Sequence, residues 1–129
     1  MKTIEVVAAI IKNNSKILCA QRGSAKYDYI SHKWEFPGGK VEDGETLKDA
    51  IEREIKEELK LNIKAGELLL TVEHNYPDFK IIMHAFVCES STDEITLTEH
   101  VATKWLETSE LYNLDWAAAD IPIVEKLMD

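Results

Sequence analysis

The chain has 129 residues, a formal net charge of −9 from 24 Asp and Glu against 15 Lys and Arg, and only 5 Gly and 3 Pro beside 45% hydrophobic residues. That is a single domain's worth of foldable chain, read as one unit over 1–129. The acidic balance argues against binding a nucleic-acid polymer, whose affinity comes from Lys and Arg on phosphates, and the longest apolar run, Val6 to Ile11, falls far short of the ~20 residues of a membrane span.

Thr3 to Ile11 and Lys16 to Arg22 read as strands joined by the turn residues Asn13-Asn14-Ser15. Met1 to Val6 carries no secretion signal, and Cys19 and Cys88 stand in apolar runs as free buried thiols, so a reducing, cytoplasmic setting is expected. Gly23 to Lys33 lacks a period and is a loop suited to binding groups. Trp34-Glu35-Phe36 forms a short strand ended by Pro37-Gly38-Gly39. Thr46 to Leu59 is the strongly helical segment, with Thr46 as N-cap and Asp49 three residues on. Glu67 to Asn75 and Phe79 to Cys88 form a hairpin around Tyr76-Pro77-Asp78. Ile95 to Thr98 and Thr103 to Leu106 are short strands, Thr108 to Tyr112 a helical turn, and Ala119 to Met128 a helix with Pro122 in its first turn. This order predicts an α+β fold, a mixed sheet with helices packed on it.

The Thr46 to Leu59 helix has an uneven charge distribution. At ~100° per residue, Leu47, Ala50, Ile51 and Ile55 lie within about 100° of Glu54, and Glu57 and Glu58 fall in the same stripe. Burying an unpartnered carboxylate costs several kcal/mol, so a cation belongs beside Glu54, Glu57 and Glu58. Hard oxygen ligands near a glycine turn suit Mg²⁺ or Mn²⁺, which leave room for substrate phosphates. The alternative, a solvated acidic face, also exposes Leu47 and Ile51.

Joined to its preceding loop, the helix reads Gly39, five residues, Glu45, seven residues, then Arg53-Glu54-Ile55-Lys56-Glu57-Glu58. This pattern resembles the Nudix box. One position departs from it: Lys60 stands where the box has a C-capping Gly, so it must take a positive φ or end the helix differently. The resemblance extends to the MutT-type nucleoside triphosphate pyrophosphohydrolases through Arg22, Trp34 to Lys40, Tyr76-Pro77-Asp78, Asp115-Trp116 and Ala119-Asp120-Ile121-Pro122.

The resemblance implies a Nudix fold, with a mixed β-sheet sandwiched between α-helices, and a monomer or homodimer acting on a small-molecule nucleoside triphosphate. It implies that Glu54, Glu57 and Glu58, a backbone carbonyl at Gly38 or Gly39, and Glu99 bind the divalent metal. Glu45 and Arg53 then form an ion pair that sets the loop against the helix. Either Glu54 or Glu99 accepts the attacking water's proton, and Arg22 and Lys40 meet phosphate oxygens. Tyr76, Phe79 and Trp116 are stacking candidates, and His74 is a weaker pocket candidate. Asp120 stands where a related Asn reads the base: ionised it only accepts, as suits the cytosine amine, whereas an 8-oxoguanine site wants a donor as well and so needs Asp120 protonated. Sanitising of the nucleotide pool is the leading role; hydrolysis of another nucleoside diphosphate compound and a non-catalytic nucleotide-binding module are the rivals.

Overall fold

The computed structural model describes residues 2–129. Its sheet is built from β1 (Lys2–Asn13), β2 (Lys16–Gln21), β3 (Trp34–Glu35), β4 (Gly38–Lys40), β5 (Lys64–Asn75), β6 (Phe79–Glu89) and β7 (Ala102–Leu106). Two helices complete it, α1 (Leu47–Leu59) and α2 (Ile121–Met128), the second preceded by 3-10 turns at Thr108–Asn113 and Ala118–Asp120. The strand order is β3-β2-β1-β6-β5, with β4 paired to β1 and β7 to β2. β1 runs parallel to β6 from Lys2 opposite Phe79 to Lys12 opposite Glu89, while the other pairs are antiparallel, so the sheet is mixed.

Residues Val7 to Ile11 of β1 are all buried because both faces of the strand are covered. On one face Val7, Ala9, Ile11, Phe86 and Cys88 pack against Ala50, Ile51, Ile55 and Leu59 of α1. On the other, Ala8, Ile10, Met83 and Ala85 pack with Leu111, Ile123 and Val124 around α2. The period-2 pleat of the strand sorts these side chains, and each large aliphatic one so buried contributes roughly 1.5–3 kcal/mol. The helices therefore sandwich the sheet, as expected. Among the described residues no helix is long and apolar enough to cross a membrane.

β1 and β2 pair only near their turn, at Lys12–Ile17 and Asn13–Lys16, where Asn14 and Ser15 take φ of 51° and 66°. They then part, and β4 takes the vacated edge opposite Val6, Val7 and Ala8. Gly38 and Gly39, expected to end a strand, thus form one themselves. A Cβ on Gly38 would lie 1.9 Å from the Val7 carbonyl oxygen, so only glycine permits this approach.

Thr46 caps α1 as expected, its Oγ1 accepting from the Asp49 amide at 3.1 Å. At the other end Lys60 adopts the left-handed conformation, φ 54° and ψ 36°, and its amide donates to the Lys56 carbonyl. The lysine thus does what the expected glycine does, with its Cβ in a conformation that disfavours side chains. Ile95 to Thr98 is not a strand. That segment instead finishes α1: the Thr96 amide donates to the Leu59 carbonyl at 2.9 Å and Thr98 Oγ1 to the Glu58 carbonyl at 2.7 Å. Free helix carbonyls, absent from any local sequence pattern, outcompeted strand pairing. β5 also begins earlier than expected, at Lys64, and α2 later, at Ile121 after its 3-10 turn. Both cysteines are free and buried, and burial pushes their thiols up to about 12.

Candidate active site

A cavity of about 710 Å³ opens beside β4 and runs from the C-terminal half of α1 to the turn that begins α2. One end is acidic. Glu58 is 8% exposed, and its Oε2 has no hydrogen-bond partner. Burial, and then the neighbouring carboxylates of Glu54, Glu99 and Glu35, push its pKa up to about 9. Glu54 is also largely covered, with 15% of its side chain exposed. A Cβ on Gly39 would sit 2.4 Å from the Glu54 carboxyl carbon, so the bare glycine backbone lies directly against that carboxylate.

Glu57 departs from the helical stripe. Its side chain is 61% exposed and turns toward Arg53, 3.2 Å away. Arg53 is the hub of this region. Its Nε and Nη2 donate to the two oxygens of Glu45 at 2.7 and 2.9 Å, and its Nη1 to Glu54 at 3.0 Å. Nη2 also donates to the Lys40 carbonyl at 3.2 Å. This guanidinium, with the Glu42 amide, draws the Glu45 pKa down to about 2. The expected Glu45–Arg53 pair is present, and it fixes the loop before α1 to the helix.

The acidic end fits a divalent cation. A buried carboxylate oxygen without a donor, three further carboxylates around it and a glycine backbone that leaves room are the donor set a hard cation takes. Among the described residues no three such groups already converge into a closed cage. Glu99 is exposed and lines the same cavity, and so do Gly38, Gly39 and Lys40.

The far end is aromatic and closes on one acid. Asp120 is 4% exposed, and its Oδ1 accepts from the Phe36 amide at 3.0 Å. Burial first, and then the Glu35 carboxylate, holds its pKa well above the usual carboxylate range. Burial thus favours the neutral carboxyl over the carboxylate at this position. The Tyr76 ring is buried, and its hydroxyl accepts from the Ala119 amide at 3.0 Å, tying the β5–β6 hairpin to the turn that carries Asp120. Tyr76 stacks on Tyr29 at 5.2 Å, Phe79 lies 5.1 Å from it, and His74 meets it edge-on. Tyr29 donates to Asp78 at 2.8 Å, so the Gly23–Lys33 loop and the hairpin meet over the cavity. Trp116, a stacking candidate, is instead core: it packs on Phe36 at 4.6 Å, and its Nε1 donates to the Leu111 carbonyl.

Two residues of this wall carry no sequence signal. Glu35 accepts from Arg22 at 3.4 Å and meets His100 Nε2 at 2.9 Å. The position of Glu35 between two aromatic residues of a strand hides it, and His100 follows Glu99 in a polar stretch with no ligand spacing.

The chain matches the NUDIX domain family over residues 1–127. It is 39% identical over 128 residues to the CTP pyrophosphohydrolase of Escherichia coli strain K12, covering 99% of this chain and 93% of that protein. It is 30% identical to the 8-oxo-dGTP diphosphatase of the same strain, covering 98% of each. A solution structure of a MutT protein of the Nudix hydrolase family from methicillin-resistant Staphylococcus aureus 252 is 46% identical, covering 99% of this chain and 98% of that one with a TM-score of 0.76. With the family matched along almost its whole length, the chain belongs to the Nudix hydrolase family.

Proposed function

We propose that the protein hydrolyses a nucleoside triphosphate to the monophosphate and pyrophosphate with Mg²⁺ or Mn²⁺, as a single cytoplasmic domain that sanitises the nucleotide pool. The observation that carries this reading is the division of one cavity into a carboxylate end at Glu58 and an aromatic, hydrogen-bonding end at Asp120. That division matches a ligand with phosphates at one end and a base at the other. The names of the two E. coli relatives, a CTP pyrophosphohydrolase and an 8-oxo-dGTP diphosphatase, support the same substrate class.

In this reading Glu54, Glu57, Glu58 and Glu99, with a carbonyl of Gly38 or Gly39, hold the cation. When bound, it neutralises phosphate oxygens and makes water a better nucleophile. Glu57 would have to leave its exposed pair with Arg53 to join this set, while Glu45 stays on Arg53, and Arg22 and Lys40 meet phosphate oxygens from the cavity wall. Glu54 or Glu99 takes the proton of the attacking water as its oxygen bonds to phosphorus and the anhydride bond between the α- and β-phosphates breaks, the bridging oxygen leaving with the electron pair. Tyr76 and Phe79 pack against the base, and Asp120 reads its edge. Burial favours the neutral carboxyl of Asp120, which can donate as well as accept, the property that an oxidised guanine requires, and this supports testing 8-oxo-dGTP beside CTP.

The test is hydrolysis of CTP, dCTP, 5-substituted dCTP, dGTP and 8-oxo-dGTP, with products resolved by chromatography. Nucleoside monophosphate from at least one of them is expected, and the fastest substrate decides between pyrimidine and oxidised guanine. No turnover of any triphosphate, with turnover of a nucleoside diphosphate sugar or dinucleotide, would overturn the reading.

A further inference from the structure

His100 precedes β7 in a segment tied to the end of β2 by the Val101 amide, which donates to the Gln21 carbonyl at 3.0 Å. Its side chain is 6% exposed, and its Nε2 lies 2.9 Å from Glu35 Oε2. The other oxygen of Glu35 accepts from Arg22 at 3.4 Å. A carboxylate only accepts, so His100 Nε2 is the donor of this pair. His100 Nδ1 is buried with no partner among the described residues. Buried polar atoms are almost always paired, so the orphan shows that this side chain is held for its other nitrogen, the one on Glu35.

The three side chains come from segments that are themselves locked together. Ala20 of β2 pairs with Glu35 of β3, and the Arg22 amide donates to the Lys33 carbonyl at 3.0 Å. Glu35, Arg22 and His100 all line the cavity, and the Glu35 charge reaches both Glu58 at one end and Asp120 at the other. A long carboxylate side chain in that position is useful only if its orientation is fixed, and two opposed donors fix it.

We propose that His100 is a positioning residue: with Arg22 it clamps the Glu35 carboxylate in the middle of the cavity wall, where Glu35 accepts hydrogen bonds from the nucleoside part of the substrate. This rests on the triphosphate reading above. Glu35 is then a specificity-determining group, and His100 acts only through it.

The experiment is a double-mutant cycle on the faster of CTP and 8-oxo-dGTP, with calorimetric titration of CMP and 8-oxo-dGMP alongside. His100→Ala raises KM about tenfold and changes kcat by less than about threefold. Glu35→Gln does the same, and the double variant is within about twofold of Glu35→Gln alone, since both remove one interaction. His100→Gln, whose amide nitrogen reaches the position of Nε2, recovers KM to within about threefold. A role confined to holding the fold lowers the melting temperature without this KM coupling. Unchanged KM in His100→Ala, or additive effects in the double variant, would overturn the proposal. If the parent turns over no triphosphate, the hydrolase reading fails separately, and the monophosphate titrations decide this one: equal affinities in parent and His100→Ala refute it.

Discussion

Glu58→Gln is expected to stabilise the metal-free protein, and by an amount that depends on pH. The carboxyl of Glu58 is 8% exposed, and its pKa rises from 4.5 to about 9 on folding. Between those values the folded state holds a proton that the unfolded state has released, so stability is full below pH 4.5 and falls as pH rises toward 9. At 1.36 kcal/mol per pKa unit, the three units from 4.5 to pH 7.5 set a ceiling of ~4 kcal/mol on the penalty. Water entering the open cavity lowers the realised cost to roughly 1–2 kcal/mol. For a chain of this length that corresponds to a melting temperature about 3–8 °C higher for the variant at pH 7.5, with no difference near pH 4.5. Thermal melts of both proteins in chelator across pH 4.5 to 8.5 measure it. Added Mg²⁺ then raises the parent by mass action more than the variant and narrows the gap. A difference independent of pH, or a variant less stable than the parent at pH 7.5 in chelator, would refute the reasoning.

Lys60→Gly removes a side chain from a left-handed C-cap. It is expected to raise stability by about 0.5–1 kcal/mol in denaturant titrations, the αL penalty less the added freedom of the unfolded glycine. Gly39→Ala places a Cβ 2.4 Å from the Glu54 carboxyl carbon and displaces a side chain held by Arg53; kcat in a steady-state assay is expected to fall by about 10²-fold. Asp120→Asn keeps an acceptor for the Phe36 amide and replaces a titrating donor with a permanent one. The ratio of kcat/KM for CTP to that for 8-oxo-dGTP is then expected to fall about fivefold, the worth of one hydrogen bond of ~1 kcal/mol.

Much of the candidate site's geometry was legible because it is local. Glu54 and Glu58 follow from the 100° period of one helix, and the capping residue Thr46 from its own chemistry. Glu57 obeyed the same period but not the same environment, since Arg53 draws it outward by a contact that no wheel contains. Gly38 and Gly39 were read as a turn because glycine signals both a bend and a close approach, and only the partner strand β1 decides between them. Glu35 depends on Arg22, 13 residues away, and on His100, 65 residues away, so nothing near it in the chain marks its role. Ile95 to Thr98 failed as a strand for the same reason: its partners are carbonyls at the end of α1.

The most direct test of the carboxylate end is the dependence of triphosphate hydrolysis on Mg²⁺ in the parent and in Glu54→Gln, with products followed by phosphorus NMR. The parent should release nucleoside monophosphate and pyrophosphate only when Mg²⁺ is present, with saturation, and Glu54→Gln should lose at least about 10²-fold in kcat at every Mg²⁺ concentration. Full activity in chelator, or parental activity in Glu54→Gln, would contradict a cation held there for catalysis.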